Sequence, residues 1–225
     1  MTVDVYVDGS CYGYGSISQA GAGCGVWFGP YHELNFNCPV GSSNNIRGGQ
    51  DTQSSQRAEI QAAMLAVIIA SREKLLRLRI HTDSKYVLHG VSDGIAKWKK
   101  NDWLSSKGRP IVNKGDWINL DDKIVEYERQ GGTLEWKYVK AHSGNIGNEN
   151  ADRLAKWAAV ASYHFSQFLL ASIDSDCPHS CCGCPGPNKT QAEQRRYAAL
   201  EWRMLESRKK TSLQELMEER KINLP

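Results

Sequence analysis

Apolar and polar side chains alternate from the start of the chain. Val3, Val5 and Val7 fall on one side of an extended segment, and Thr2, Asp4, Tyr6 and Asp8 on the other. A period of two, built from β-branched and aromatic residues, predicts a strand. Gly9-Ser10 interrupts it, so Asp8 is expected at the strand's carboxyl end, where sheet enzymes usually place their sites. Taken alone, an Asp beside a turn glycine is an ordinary surface residue. A Gly-, Tyr- and Ser-rich loop follows over residues 10–19. A second strand is predicted over 20–29, through Gly23-Cys24-Gly25-Val26-Trp27-Phe28. Gly29-Pro30 marks a turn, and a third strand over 31–38 puts Leu34 and Phe36 on one face. Three strands joined by short turns predict an antiparallel meander.

The pattern then changes. Residues 39–51 are rich in Gly, Ser and Asn without periodicity and read as loop. Thr52-Gln53-Ser54-Ser55 opens a long Ala, Leu and Ile run to Lys74, which predicts a helix. Its body, Ala62 to Ala70, is apolar nearly all round, so the helix should be buried on most sides. Glu59 near its start is costly there unless paired or metal-bound; a Glu in that place also suits the helix dipole. Residues 78–84 alternate again and end on Thr82-Asp83-Ser84, with a helix beginning at Lys85 that Asp83 could cap. Between Lys97 and Lys114 stand six cationic side chains, one acid, and Trp98 and Trp103. Cations supply phosphate contacts and flat aromatics supply stacking; a solvated helix face with core tryptophans has the same composition. Residues 116–130 form an amphipathic helix closed by Gly131-Gly132, and 134–139 the last strand. A Gly/Asn loop carrying His142 feeds a helix whose first turn places Glu149 and Asp152 on one face.

Composition narrows the class. Of 225 residues, 40% are apolar and 24% charged, ordinary for a packed domain with an extension. A net charge of +3 means that any nucleic-acid surface is a local patch. No apolar run is long enough to span a bilayer, and no basic-then-apolar leader opens the chain. Seven cysteines, an odd number, argue against a complete disulfide framework. The expected location is intracellular, in nucleus or cytoplasm and not secreted.

The ordered set Asp8-Gly9-Ser10, Gln56-Arg57-Ala58-Glu59, Thr82-Asp83-Ser84 and His142-Ser143-Gly144-Asn145-Ile146-Gly147-Asn148-Glu149-Asn150-Ala151-Asp152 resembles type 1 ribonuclease H, the cellular kind with a basic protrusion. The resemblance covers about Thr2 to Ala161. It implies an α/β fold of the ribonuclease H kind: a mixed five-stranded sheet, with strands 1–3 an antiparallel meander and the rest parallel, and helices on both faces. It implies endonucleolytic cleavage of the RNA strand of RNA–DNA hybrids, leaving 5′-phosphate and 3′-hydroxyl ends. Asp8, Glu59, Asp83 and Asp152 would hold two Mg²⁺ ions, with Mn²⁺ able to substitute. Glu149 would be an auxiliary acid, and His142 a mobile histidine that helps product leave. Two such ions roughly 4 Å apart clamp the attacking and leaving oxygens of an in-line displacement. Ser54, Gln56, Tyr86, Trp98, Lys99, Lys100 and Asn113 fall where the family touches nucleic acid. No small-molecule cofactor and no membrane partner is implied.

The departures bear on hybrid affinity and on RNA-versus-DNA discrimination. Tyr14 stands where the family usually has Asn, and Thr52, Ser54 and Asn113 form a phosphate pocket without its cation. Gly94 replaces one channel tryptophan. The family's amino-terminal hybrid-binding domain does not precede Thr2, from which low processivity is expected. Three regions are therefore expected: a catalytic domain over 1–161, a Cys/Pro/Gly-containing linker over 162–187, and a helical carboxyl extension over 188–225. Cys177, His179, Cys181, Cys182 and Cys184 are crowded for a zinc site and equally fit an exposed linker. The extension carries a stripe of Tyr197, Leu200 and Met204, open to a protein partner, and a capping box at Ser212. Two rival readings are a non-catalytic hybrid- or duplex-RNA-binding protein of the same fold, and an integrase- or transposase-like enzyme. Four intact carboxylates argue against the first; the His142 loop and the protrusion argue against the second.

Overall fold

A computed structural model of the chain describes residues 1–13, 20–41 and 53–173, with side chains as far as His164 in the last stretch. The strands are β1 (Val3–Tyr12), β2 (Gly21–Trp27), β3 (Phe36–Pro39), β4 (Arg77–Thr82) and β5 (Thr133–Tyr138). The helices are α1 (Ser55–Arg72), α2 (Lys85–His89), α3 (Ile95–Lys100), α4 (Lys114–Arg129) and α5 (Ile146–Ile173), with one π-helical turn, Gly90–Gly94, between α2 and α3. The five strands form one sheet in the order β3-β2-β1-β4-β5. β1–β2 and β2–β3 are antiparallel, and β1–β4 and β4–β5 parallel, as expected.

Two strand boundaries differ from the sequence reading. β1 does not stop at Gly9-Ser10, because both residues stay in the ladder opposite Cys24 and Gly23 of β2. Gly9 marks a close approach rather than a turn: a Cβ there would lie 2.2 Å from the backbone nitrogen of Glu59. Asp8 is therefore mid-strand. It still sits past the last β1–β4 pair, Tyr6 with His81, and so beyond the carboxyl end of the parallel ladder. β3 is only four residues long. Before it, Asn35 accepts from the Phe28 backbone N–H at 2.7 Å and donates to the Gly29 carbonyl at 2.7 Å, which closes a turn in place of a strand. Tyr31, expected in that strand, has φ 53° and is fully exposed.

The alternation in β1 sorts the two faces of the sheet. Val5 and Val7 are buried in a core with Ile60, Ala63 and Val67 of α1, Leu78 and Ile80 of β4, and Trp117, Leu120 and Tyr127 of α4. Each Val, Leu or Ile among them contributes about 1.5–3 kcal/mol by leaving water. α1 is fixed to α4 by polar groups as well. Arg57 Nε donates to Asp116 Oδ2 at 2.7 Å, and Gln61 Nε2 donates to Asp116 Oδ1 at 2.8 Å. Both side chains also donate to the Gly41 carbonyl.

The opposite face receives α5. Gly21, Gly23 and Gly25 alternate along β2, and a Cβ on any of them would fall within about 2.1–2.3 Å of α5 backbone. Glycines on the strand and Ala151, Ala155 and Ala159 on the helix let the two backbones nearly touch. The first turn of α5 is seated too: the Tyr6 ring packs where a Cβ of Gly147 would be, and stacks on His81 at 4.4 Å.

The chain divides into two units, Met1–Tyr163 and His164–Pro225. α5 runs on through Ile173, past Ala161 and into the stretch expected as linker. The cysteine cluster, the remaining linker and the helices expected beyond Asn188 lie outside the described residues. No described helix is long and apolar enough to cross a membrane.

Candidate active site

Four acidic residues reach one end of the sheet from four elements. Asp8 comes from β1 and is 8% exposed. It shares a face with Gly25, its β2 partner, and that face is the one α5 covers. The Gly9 N–H donates to its Oδ1 at 2.7 Å. Its pKa is pushed up to about 8, first by burial, then by the charges of Asp83, Asp152 and Glu59; the Gly9 N–H pulls the other way. Asp83, Asp152 and Glu59 are thus near enough to Asp8 to act on it electrostatically.

Glu59 sits in the second turn of α1, because Ser54 is the cap and accepts from the Arg57 N–H. The first turn of α1 holds no acid, so compensation of the helix dipole does not explain Glu59. Burial and the charge of Asp83 raise its pKa, against the Ser84 hydroxyl, which donates to Oε2 at 2.5 Å. Asp83 follows β4 directly. It does not cap α2, as its position had suggested: Ser84 does, accepting from the Val87 N–H at 3.1 Å. Asp83 instead accepts from Asn148 Nδ2 at 2.8 Å. Asp152 lies one turn into α5 and is held by Lys156 at 2.7 Å. Glu149, in the first turn of α5, is exposed. His142 is exposed on the preceding turn with φ 49°.

Each carboxylate thus has its own donor: a backbone N–H, a hydroxyl, an amide and an ammonium. Among the described residues, no three His, Cys, Asp or Glu side chains stand in one ion-sized shell. The chemistry of the donor set nevertheless suits a hard divalent cation, since every candidate ligand is a carboxylate oxygen. Like charges crowded around a buried acid raise its pKa, and a dication would relieve that repulsion.

The positions expected to meet nucleic acid fall into three groups. Tyr86, Asn113 and Trp98 share one cluster: Asn113 Nδ2 and Trp117 Nε1 each donate to the Tyr86 hydroxyl at 3.2 Å, and Trp98 packs against Trp117 and Trp103. Asn113 caps α4 in the left-handed region, φ 58°. Gln56 and Lys100 are exposed, while Lys99 is paired with Asp121 at 2.7 Å. Ser54 is engaged as the α1 cap. Gly94 is filled rather than vacant, because the Trp98 ring occupies the space a Cβ would need. Tyr14 and Thr52 lie outside the described residues.

Sequence reasoning missed the donors, Ser84, Asn148 and Lys156. The one signal was Asn148 itself, a weak helix former placed inside a helix's first turn.

Comparisons with known proteins bear on the family and the fold. The RNase H domain profile matches residues 1–160. Ribonuclease H1 of Mus musculus is 37% identical over 161 residues, 72% of this chain and 51% of that protein. Ribonuclease H of Methylobacillus flagellatus is 33% identical over 153 residues, 68% of this chain and 88% of that protein. The chain spans about half the length of the mammalian relatives it matches. A solved foamy viral protease–reverse transcriptase in complex with RNA/DNA hybrid is similar in fold, with TM-score 0.52 and 21% identity over 70% of this chain and 20% of that one. A matched domain over most of the chain, the expected strand order and four acids gathered at Asp8 lead to one conclusion: the chain belongs to the ribonuclease H family, of the type 1 kind.

Proposed function

We propose that this chain is an endoribonuclease that hydrolyses the RNA strand of RNA–DNA hybrids, leaving 5′-phosphate and 3′-hydroxyl ends. The observation that carries the reading is the RNase H profile match over residues 1–160, within which the buried Asp8 feels the charges of three other acids from three other elements. Crowded, destabilised carboxylates are characteristic of a functional site rather than of a fold in isolation. Relatives bearing the ribonuclease H name over the same residues support the reaction class.

The family depends on divalent metal in general. Here the ions would be Mg²⁺, with Mn²⁺ able to substitute, and Asp8, Glu59, Asp83 and Asp152 would hold them. When bound, two such ions supply an activated water and a stabilised leaving oxygen. The chain's own residues set the stage. Asp8 stands at the centre, and its Gly9 N–H contact fixes one carboxylate oxygen. Ser84 and Asn148 orient Glu59 and Asp83. Glu149 and His142, both exposed, would move protons and let product leave. We assign chemistry to residues 1–161, and hybrid contacts to Gln56, Ser54, Tyr86, Trp98, Lys99, Lys100 and Asn113, with Lys100 the least compensated of the lysines named. Residues 162–225 take no part in this assignment. A substrate of this kind forms in nucleus or cytoplasm, where the reading places the protein.

The test is a labelled hybrid, with duplex DNA, duplex RNA and single-stranded RNA as controls, with and without Mg²⁺. Internal cuts in the RNA of the hybrid, dependent on Mg²⁺, are expected. Binding without cleavage would replace the reading with a binding protein; equal cutting of duplex RNA would refute the substrate.

A further inference from the structure

The buried amide of Asn148 is the least explained group near the acids. Its residue is 3% exposed, on the first turn of α5. Its Nδ2 donates to Asp83 Oδ2 at 2.8 Å, while its Oδ1 is buried and has no partner among the described residues. An unpaired buried acceptor is destabilising, so native structures rarely keep one without a reason. Turning the amide over would not help. It would set Oδ1 against the Asp83 carboxylate and lose the donor. The protein therefore tolerates an orphan acceptor in order to present an N–H to Asp83.

Docking of α5 does not supply the reason. That turn is already seated by Tyr6 on Gly147 and by the Gly25–Ala151 contact. Its start is capped by Asn145, whose Oδ1 accepts from the Asn148 backbone N–H at 3.1 Å and whose carbonyl accepts from Glu149. With the backbone of Asn148 occupied by the cap, its side chain is left to join the helix that carries Glu149 and Asp152 to the acid that ends β4.

We propose that Asn148 is a positioning residue. It holds the Asp83 carboxylate in the orientation that receives a divalent cation. The inference rests on the functional reading above. It concerns a residue that touches neither substrate nor reacting atoms, and that acts through Asp83.

The test uses the full chain with Asn148→Leu, which keeps the shape and removes both donor and orphan acceptor, and with Asn148→Ala, which cannot clash. Three readouts are taken: calorimetric titration of the substrate-free protein with MgCl₂, thermal melts without metal, and kcat and KM on hybrid. The expected result is Mg²⁺ affinity and kcat each lowered roughly 10–100-fold, as for partners of metal ligands elsewhere. KM for hybrid and the metal-free Tm should be unchanged, or the Tm raised. Mg²⁺ affinity within twofold of the unsubstituted protein would overturn the proposal. So would failure of both variants to fold, since Asn148 would then be holding the fold. If the unsubstituted protein binds Mg²⁺ but cleaves no hybrid, the functional reading fails, and the calorimetry still decides the role of Asn148.

Discussion

Replacing Asp8 by Asn should stabilise the metal-free protein at pH 8 while removing its chemistry. The Asp8 pKa is raised from 3.8 to about 8, chiefly by burial and then by Asp83, Asp152 and Glu59. Between those two values the folded protein keeps a proton that the unfolded chain has released. Stability changes with pH as protons bound unfolded minus protons bound folded, and that difference is negative here. The contribution is thus fully present below 3.8 and lost as pH rises towards about 8. The interval, 8 − 3.8, at 1.36 kcal/mol per unit gives a ceiling of roughly 6 kcal/mol. Relaxation and water entry raise the effective dielectric and reduce it, so about 3 kcal/mol is the expected size. Asn keeps an oxygen for the Gly9 N–H and carries no charge, so it escapes this loss. In a domain of this size 1 kcal/mol moves Tm by about 2–4 °C. Metal-free D8N should therefore melt roughly 6–12 °C above the unsubstituted protein at pH 8, with little difference at pH 4. Its cleavage of hybrid should be several orders of magnitude slower. Melts at pH 4, 6 and 8 decide the matter: a gap that fails to widen with pH would refute the electrostatic account of the site.

Three further outcomes follow from particular contacts. His142→Ala should lower turnover far less than D8N, because the side chain is exposed on its turn; equal losses would mean that it belongs among the ligands. Arg57→Ala should cost about 3–5 kcal/mol in urea unfolding, since it strands Asp116, 3% exposed, without its cation; a loss under about 1 kcal/mol would show that Gln61 and water suffice. Lys100→Glu should weaken hybrid binding and flatten its log–log salt slope by about one unit; an unchanged slope would remove Lys100 from the interface.

The sheet was readable because its strands alternate. Val3-Val5-Val7 and 78–84 carry the period, and the structure follows it to within a few residues. At the end of β1 the reading failed because of a glycine. Gly9 resembles a strand break in sequence, yet its missing Cβ is what lets β1 run against Ala58 and Glu59. Gly21, Gly23 and Gly25 lie in a strand the sequence did predict, but their contact with α5 was not visible in it. A period-two reading counts glycine as neutral and cannot see the helix that fills the gap. β3 failed for a different reason, because Asn35 satisfies the backbone around Gly29 locally and leaves the ladder only four residues.

The acids were legible and their supports were not, and the two facts have one origin. Each acid has an ordinary local reading taken alone, but Asp8, Glu59 and Asp83 stand out as an ordered set, each at the end of a strand or near the start of an apolar helix. Ser84 is a sound helix cap, and it serves Glu59 with the same hydroxyl that accepts from Val87. Lys156 is an ordinary i,i+4 partner of Asp152. Each has a sufficient local reason to be where it is, so its second role appears only when the sheet and α5 bring distant segments together. Asn148 is the exception among them. Its amide reaches Asp83, 65 positions earlier in the chain, and leaves one oxygen without a partner among the described residues. No local rule accounts for that oxygen, and so it is the group from which the organisation around the acids can be argued.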